Sequence, residues 1–221
     1  TGPRWTSADY SDSILLTARL LKLMKVDGPV AVESHVEDPG SSDIFGDYPR
    51  LTADPFLVQL ITDTLRLQVI SPGGLEPHMV EEIMDNAIKS EVHEAEEPVH
   101  VLQTLADALP ALGIVAAVLG VIKTMGSIDQ PPTVLGTMIG GALVGTFLGV
   151  FLAYGLVAPC ASRLKQVLHE DLMIYQIVKQ MIVASLADSP QAVVIEAART
   201  SIMPHNQPTF SDVFDNLREA A

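Results

Sequence analysis

The sequence predicts an all-α integral membrane protein, with two transmembrane helices in this chain and a helical cytoplasmic domain. Three observations carry that reading. Residues 108–122 run for 15 positions without a charge, and residues 130–162 for 33. Elsewhere apolar residues recur at helical spacing, and no stretch alternates with the period of two expected of a strand.

The first uncharged stretch is shorter than the roughly 20 apolar residues a spanning helix needs. Lys123 can snorkel, and the helix can extend at both ends, so its span is placed at about 108–125. The second stretch is ample, with a span at about 134–158. Between them lies "KTMGSIDQPP", a Gly- and Pro-containing turn. Together they read as an antiparallel hairpin. The alternative is a buried hairpin of a soluble protein, but 33 uncharged residues far exceed an ordinary core helix. Arg163 and Lys165 flank the second span, whereas Lys123 alone lies in the turn. The positive-inside rule then puts both outer ends of the hairpin in the cytoplasm. The division is 1–97 cytoplasmic, 98–162 membrane hairpin, and 163–221 cytoplasmic tail.

The other elements follow in order. Ser7 or Ser11 caps a first helix carrying Ile14, Leu15, Ala18 and Leu21 and ending near Gly28. "GPVAVESHVEDPG" is a short second helix between Gly/Pro stops. Asp54-Pro55 is a cap followed by proline at the first helical position, and Leu57, Leu60, Ile61, Leu65 and Val69 give the stripe. "PGGLEP" breaks the chain. Met79, Val80, Ile83, Ala87 and Ile88 mark a further helix, and Pro98 starts another that enters the membrane. After the hairpin, Leu164, Val167, Leu168, Ile174, Val178, Met181 and Ile182 continue a long helix. Ser189-Pro190 starts a short helix, and Ser211 caps the last.

The charge balance excludes some functions. A net charge of −14 argues against nucleic acid and against docking on an anionic membrane surface. Residues 1–107 hold 19 acids and 7 bases, so an acidic soluble region precedes a nearly neutral apolar one. A single cysteine, Cys160, rules out an internal disulfide framework. The chain starts at Thr1 with no secretory n- or h-region, and is read as a fragment or a processed chain.

No catalytic pattern emerges. Glu97 and His100 form E-x-x-H, half of a carboxylate di-metal pattern whose second half is missing. His93 among Glu91, Glu94 and Glu96 reads as a solvated face. Cys160 has an apolar setting without a paired histidine. There is no dinucleotide fingerprint, P-loop or nucleophile elbow. The expectation is therefore no enzyme, no cofactor and no metal.

The membrane segments say more. Gly141, Gly145 and Gly149 form G-x-x-x-G-x-x-x-G on the second span. Gly113 with Ala117, and Ala116 with Gly120, repeat small-x-x-x-small on the first. Small residues let helix backbones approach closely in lipid. They either close the hairpin on itself or serve further partners. Pro110 near the start of the first span and Pro159 near the end of the second reach the same membrane side. They read as a flexible cytoplasmic mouth or as kinks tolerated in a bundle. Residues 108–122 and 130–162 contain no Asp, Glu, His, Lys or Arg. An ion pathway normally needs such a group within the membrane, so if this hairpin lines one, another chain must supply it.

At this point the sequence resembles the MotA family of flagellar motor stator subunits, within the MotA/TolQ/ExbB superfamily. "LADALPALGIVAAVLGVIKTMGSIDQPP" and "LGTMIGGALVGTFLGVFLAYGLVAPCA" look like the family's third and fourth membrane helices. "DIFGDYPRL" and "DTLRLQV" look like its cytoplasmic loop, and "HEAEEPVHVLQTLAD" like its lead-in to the membrane. "EAARTSIMPHNQPTF" is a looser match at the tail.

The resemblance implies two further membrane helices before this segment, which this chain lacks. It implies five such subunits in a ring around two copies of a MotB-type, peptidoglycan-binding partner whose membrane aspartate carries the ion. It implies torque on the rotor switch-ring protein FliG, with Lys25 and Glu33 at the family's charged rotor-contact positions. It also implies an inner-membrane, lipid-embedded location. Sodium-driven relatives carry threonine where this chain has Ala117, while the threonine of the fourth helix is retained as Thr146. Alanine offers no oxygen ligand to a hard cation, so the expected ion is the proton. The rival expectations are a TolQ- or ExbB-type energiser of envelope transport and a passive membrane scaffold.

Overall fold

The computed structural model describes residues 2–71 and 73–219. The described residues are helical throughout, without a strand. The elements are α1 (Ser7–Val26), α2 (Pro29–Glu37), α3 (Asp43–Gly46), α4 (Pro49–Thr52), α5 (Pro55–Ile70), α6 (Pro77–Met125), α7 (Pro132–Leu152), a π-helical turn (Ala153–Val157), α8 (Ala158–Leu186), α9 (Gln191–Thr200) and α10 (Phe210–Glu219). Contacts divide the chain into two compact units, Thr1–Val92 with His169–Ala221, and His93–Leu168.

The first unit is built around α1. Thr6, not Ser7 or Ser11, caps it: Asp9 N donates to the Thr6 hydroxyl, and Thr6 N donates to the Asp9 carboxylate at 2.8 Å. This reciprocal box satisfies two otherwise orphaned backbone donors. Tyr10, Ile14, Leu16 and Leu20 are almost fully buried. A helix buried on more than one face satisfies most of its polar residues internally, although the Ser11 hydroxyl has no partner among the described residues. Ser13 and Thr17 accordingly donate back to Tyr10 O and Ser13 O, and the Tyr10 hydroxyl donates to Glu170 O. Gly28, at φ 88°, turns the chain into α2, a conformation that favours glycine.

Asp54 ties three segments together. Its carboxylate caps α5 by accepting from Leu57 N at 2.9 Å, and also accepts from Arg4 at 2.7 Å and from the Tyr175 hydroxyl at 3.0 Å. Burial, then the neighbouring Asp54 carboxylate, pushes the Tyr175 phenol up. The stripe Leu57, Leu60, Ile61 and Leu65 faces the core, joined by Val80, Met84 and Ile88 from the start of α6 and by Ile174, Ile177, Val178, Met181 and Ile182 from α8. Each fully buried side chain of this size contributes about 1.5–3 kcal/mol. Met79 and Ile83, expected on that stripe, are exposed. Pro72, the first residue of the expected break, lies outside the described residues.

Three sequence expectations change. The helix expected to end before Pro98 does not end: α6 runs 49 residues through both Pro98 and Pro110. An interior proline costs about 3 kcal/mol locally, yet it forfeits one hydrogen bond and strains one turn without obliging the helix to stop, and Pro98 is exposed. The cap of α10 is Thr209 rather than Ser211, because Thr209 and Asp212 form the same reciprocal pair as Thr6 and Asp9, both bonds at 3.2 Å. Two four-residue helices, α3 and α4, lie between α2 and α5, where the sequence reading names no element.

Candidate functional site

The second unit is an antiparallel helical hairpin, and its seam is made of the smallest side chains. On α6 the inward positions are Ala106, Gly113, Ala117, Gly120 and Thr124. On the returning helix they are Ala142, Gly145, Thr146, Gly149 and Ala153. A methyl group added at Gly149 would stand 2.6 Å from Leu109 O and 3.0 Å from Gly113 Cα. One added at Gly113 would stand 2.8 Å from Gly145 O. At Gly120 it would meet Ala142, whose Cα lies 3.0 Å away. The helices therefore touch backbone to backbone, which only glycine permits at these points.

The register stays constant along the hairpin. Gly120 faces Ala142 and Gly113 faces Gly149. Farther on, Glu96 reaches Lys165 at 4.0 Å. Each residue down one helix is matched by about one residue up the other. Gly141 stands outside this seam: it is exposed, with nothing within 4 Å of an added methyl, and Gly136 and Gly140 are the same.

Hydroxyls in the hairpin bond to backbone. Thr124 donates to Gly120 O at 2.9 Å and Thr137 to Thr133 O at 3.0 Å. Thr146 donates across the hairpin to Gly113 O at 3.4 Å. Large apolar residues point away from the seam, including Leu112, Val115, Leu119, Leu143, Phe147 and Phe151. α6 and the helix Pro132–Leu186 are each long and apolar enough to cross a membrane.

These features agree with known proteins. The MotA/TolQ/ExbB proton channel family matches residues 54–177. The chain belongs to this family. It is 37% identical to motility protein A of Escherichia coli over 97% of this chain and 72% of that protein. Against motility protein A of Salmonella typhimurium the figures are 36%, 97% and 72%. A solved structure of C. jejuni MotAB shares the fold at a TM-score of 0.68, with 18% identity, over 91% of this chain and 71% of that one.

Within this MotA/TolQ/ExbB chain the expected site residues fall into three groups. Gly113, Gly120, Gly145, Gly149, Ala117 and Thr146 meet in the hairpin seam, so the residues expected to wall an ion pathway also hold the two helices together. Pro110 and Pro159 lie toward the same end of the hairpin but at different levels. By the register, Pro159 stands opposite a point about seven residues before Pro110, roughly 10 Å along the axis. The π-helical turn ends two residues before Pro159, and Ala158 N bonds to Ala153 O, five residues back. Proline offers no N–H to the preceding turn and crowds its carbonyls, and a widened turn relieves that crowding.

The charged pair lies in the first unit. Lys25 is in the last turn of α1, with Asp188 Oδ1 at 4.0 Å from its Nζ. Glu33 is exposed on α2. Sequence reading missed Asp188, because it meets Lys25 only in the folded unit. Glu97 and His100 are both exposed. Among the described residues, no group of three or more His, Cys, Asp or Glu could hold a metal ion.

Proposed function

We propose that this chain is a stator subunit of a bacterial flagellar motor, converting proton flow through a complex with a MotB-type partner into torque on the rotor. One observation supports it above others: an apolar hairpin in which residues 108–122 and 130–162 carry no Asp, Glu, His, Lys or Arg. Its threonines 124, 137 and 146 already bond to backbone carbonyls. Such a hairpin can wall a pathway but cannot by itself carry a proton on a side chain. The partner then contributes the carboxylate.

In this reading five copies surround the partner in the inner membrane, with 1–97 and 163–221 in the cytoplasm. The seam keeps each hairpin a single unit. The exposed leucines, valines and phenylalanines face lipid and neighbouring copies. Lys25 and Glu33 face the switch-ring protein FliG.

Two measurements test this, together with the motility of cells from which the chain is deleted. The complex is purified with its partner, and the copy number of each chain is counted by native mass. Swimming is then followed in sodium-free buffer with and without a protonophore. The expected result is a five-to-two complex and rotation that persists without sodium and stops with the protonophore. Rotation that requires sodium overturns the proton assignment, and normal motility in cells lacking this chain overturns the function.

A further inference from the structure

The short helix α2 carries the exposed Glu33 and has little apolar surface to hold it, since Val32 and Val36 are its buried residues. It leaves Gly28, whose φ of 88° sits in open space. Polar ties act on its C-terminal half. His35 Nδ1 lies 2.8 Å from Ser42 Oγ, just ahead of α3. Arg66, on α5, reaches α2 twice: its Nη2 donates to Val36 O at 3.2 Å, and its Nε to the Glu37 carboxylate at 2.6 Å. Its Nη1 donates to Asp63 on its own helix at 2.7 Å.

The guanidinium therefore does two things. It caps the C-terminal end of α2, where the last carbonyls lack partners within the helix and the helix dipole favours a cation. It also stands between two carboxylates, Glu37 on α2 and Asp63 on α5. A planar fork can serve all three acceptors at once, which a lysine ammonium on a flexible stem cannot do in the same geometry.

We propose that Arg66 is a positioning residue for rotor contact: by clasping the C-terminal end of α2 to α5, it fixes where Glu33 stands without itself touching the rotor. α5 is anchored in turn, because the Asp54 that caps it also accepts from Arg4 and from Tyr175 on α8. The proposal rests on the rotor-facing reading of Glu33; the clasp itself does not.

The charges decide the form of the test. Glu37 and Asp63 are 55% and 52% exposed, so the ion pairs alone are weak. The larger effect is what loss of Arg66 leaves behind, two like charges on helices that must stay together. Loss of Arg66 should thus do more harm than loss of Glu37, and removing Glu37 as well should undo part of it. A side chain that only filled space would behave otherwise, with the second truncation adding to the first.

The test uses the complex with the partner subunit in nanodiscs, in a Cys160→Ser background, with nitroxides at Ser34→Cys on α2 and Val193→Cys on α9, both exposed positions. Labelled subunits are diluted with unlabelled ones, so that pulsed electron paramagnetic resonance reads the distance within one chain. Stall torque is measured on unlabelled variants at matched expression. Arg66→Gln should broaden the distance distribution and lower the torque, and added salt should narrow the distribution again by screening the two carboxylates. Glu37→Gln should do less, and Arg66→Lys should fall between the parent and Arg66→Gln. The double variant Arg66→Gln, Glu37→Gln should be narrower and stronger than Arg66→Gln alone. An unchanged distribution in Arg66→Gln, or a double variant no better than the single, overturns the clasp. If Arg66→Gln yields no complex, parent-like distributions in both Glu37→Gln and Arg66→Lys overturn it. A broadened distribution with parent torque overturns the role in rotor contact. If Glu33→Lys then also leaves torque unchanged, the rotor-facing reading of α2 fails while the clasp stands.

Discussion

Thr146 donates its hydroxyl across the hairpin to the carbonyl of Gly113, 3.4 Å away. The two residues sit where the backbones of α6 and α7 meet most closely, with Gly149 one turn on. Gly149→Ala should therefore separate the helices, because the atoms its methyl would strike are backbone. Overpacking of this kind costs about 1–3 kcal/mol. Gly136→Ala, with open space around it, is the control. Recovery of the intact complex by size-exclusion chromatography should fall for the first and not for the second. Thr146→Val replaces the hydroxyl by a methyl of similar size and should cost about 0.6 kcal/mol, the usual scale of an interhelical bond in membranes. Equal recovery of Gly149→Ala and Gly136→Ala would show that this seam does not close the hairpin.

Lys25 and Glu33 make a different kind of prediction, about contact rather than packing. Lys25→Glu should impair rotation and regain part of it with an opposite change on the switch-ring protein. A single exposed pair is worth about 0–1 kcal/mol, so the effect depends on repetition around a ring. Reversal should hurt more than neutralisation, since like charges repel. Unchanged torque in the Lys25→Glu, Glu33→Lys double variant places the contact elsewhere.

In the proposed reading the prolines shape the cytoplasmic mouth rather than close the seam. Pro110→Ala and Pro159→Ala should leave complex recovery unchanged and slow rotation, measured as tethered-cell speed at matched expression. Wild-type speed in either variant removes that proline from coupling. Failed assembly assigns it to the scaffold.

Asp12 sets a pH dependence. Burial, and then the nearby Asp9, raise its carboxyl above 3.8, with Arg50 opposing. A carboxyl raised on folding contributes stability at pH below its unfolded value, and that contribution is lost as pH rises through the folded value. Asp12→Asn should therefore raise the melting temperature at pH 7, and the gain should vanish near pH 3. An equal gain at both pH values would show that charge is not its cause.

Small-residue spacing pointed to the hairpin seam, but not to each of its members. Steps of four residues advance about 40° beyond a full helical turn. A run such as Gly141, Gly145 and Gly149 thus drifts off any one face, and Gly141 is the residue that leaves it. Ala142, with its methyl, replaces it opposite Gly120. The caps were legible one step finer than serine alone: Thr6 and Thr209 each have aspartate three residues on. Pro98 misled because proline weakens one turn of a helix without having to end it. Arg66 meets Glu37 and Val36 from 29 and 30 residues away, and no local pattern announces residues brought together from such distances along the chain.

The π-helical turn at Ala153–Val157 means that the returning helix carries one residue more than an unbroken α-helix of the same path would need. That surplus makes the segment tolerant of a length change that would be ruinous a few residues earlier. Deleting one residue inside the turn would let it relax to ordinary α-helix while the faces on either side keep their orientation. Deleting one residue between Ala142 and Gly149 would instead turn the faces on its two sides about 100° relative to each other, and Gly149 could no longer meet Gly113 while Ala142 meets Gly120. The returning helix therefore contains a place where its length can be edited without resetting its facing residues.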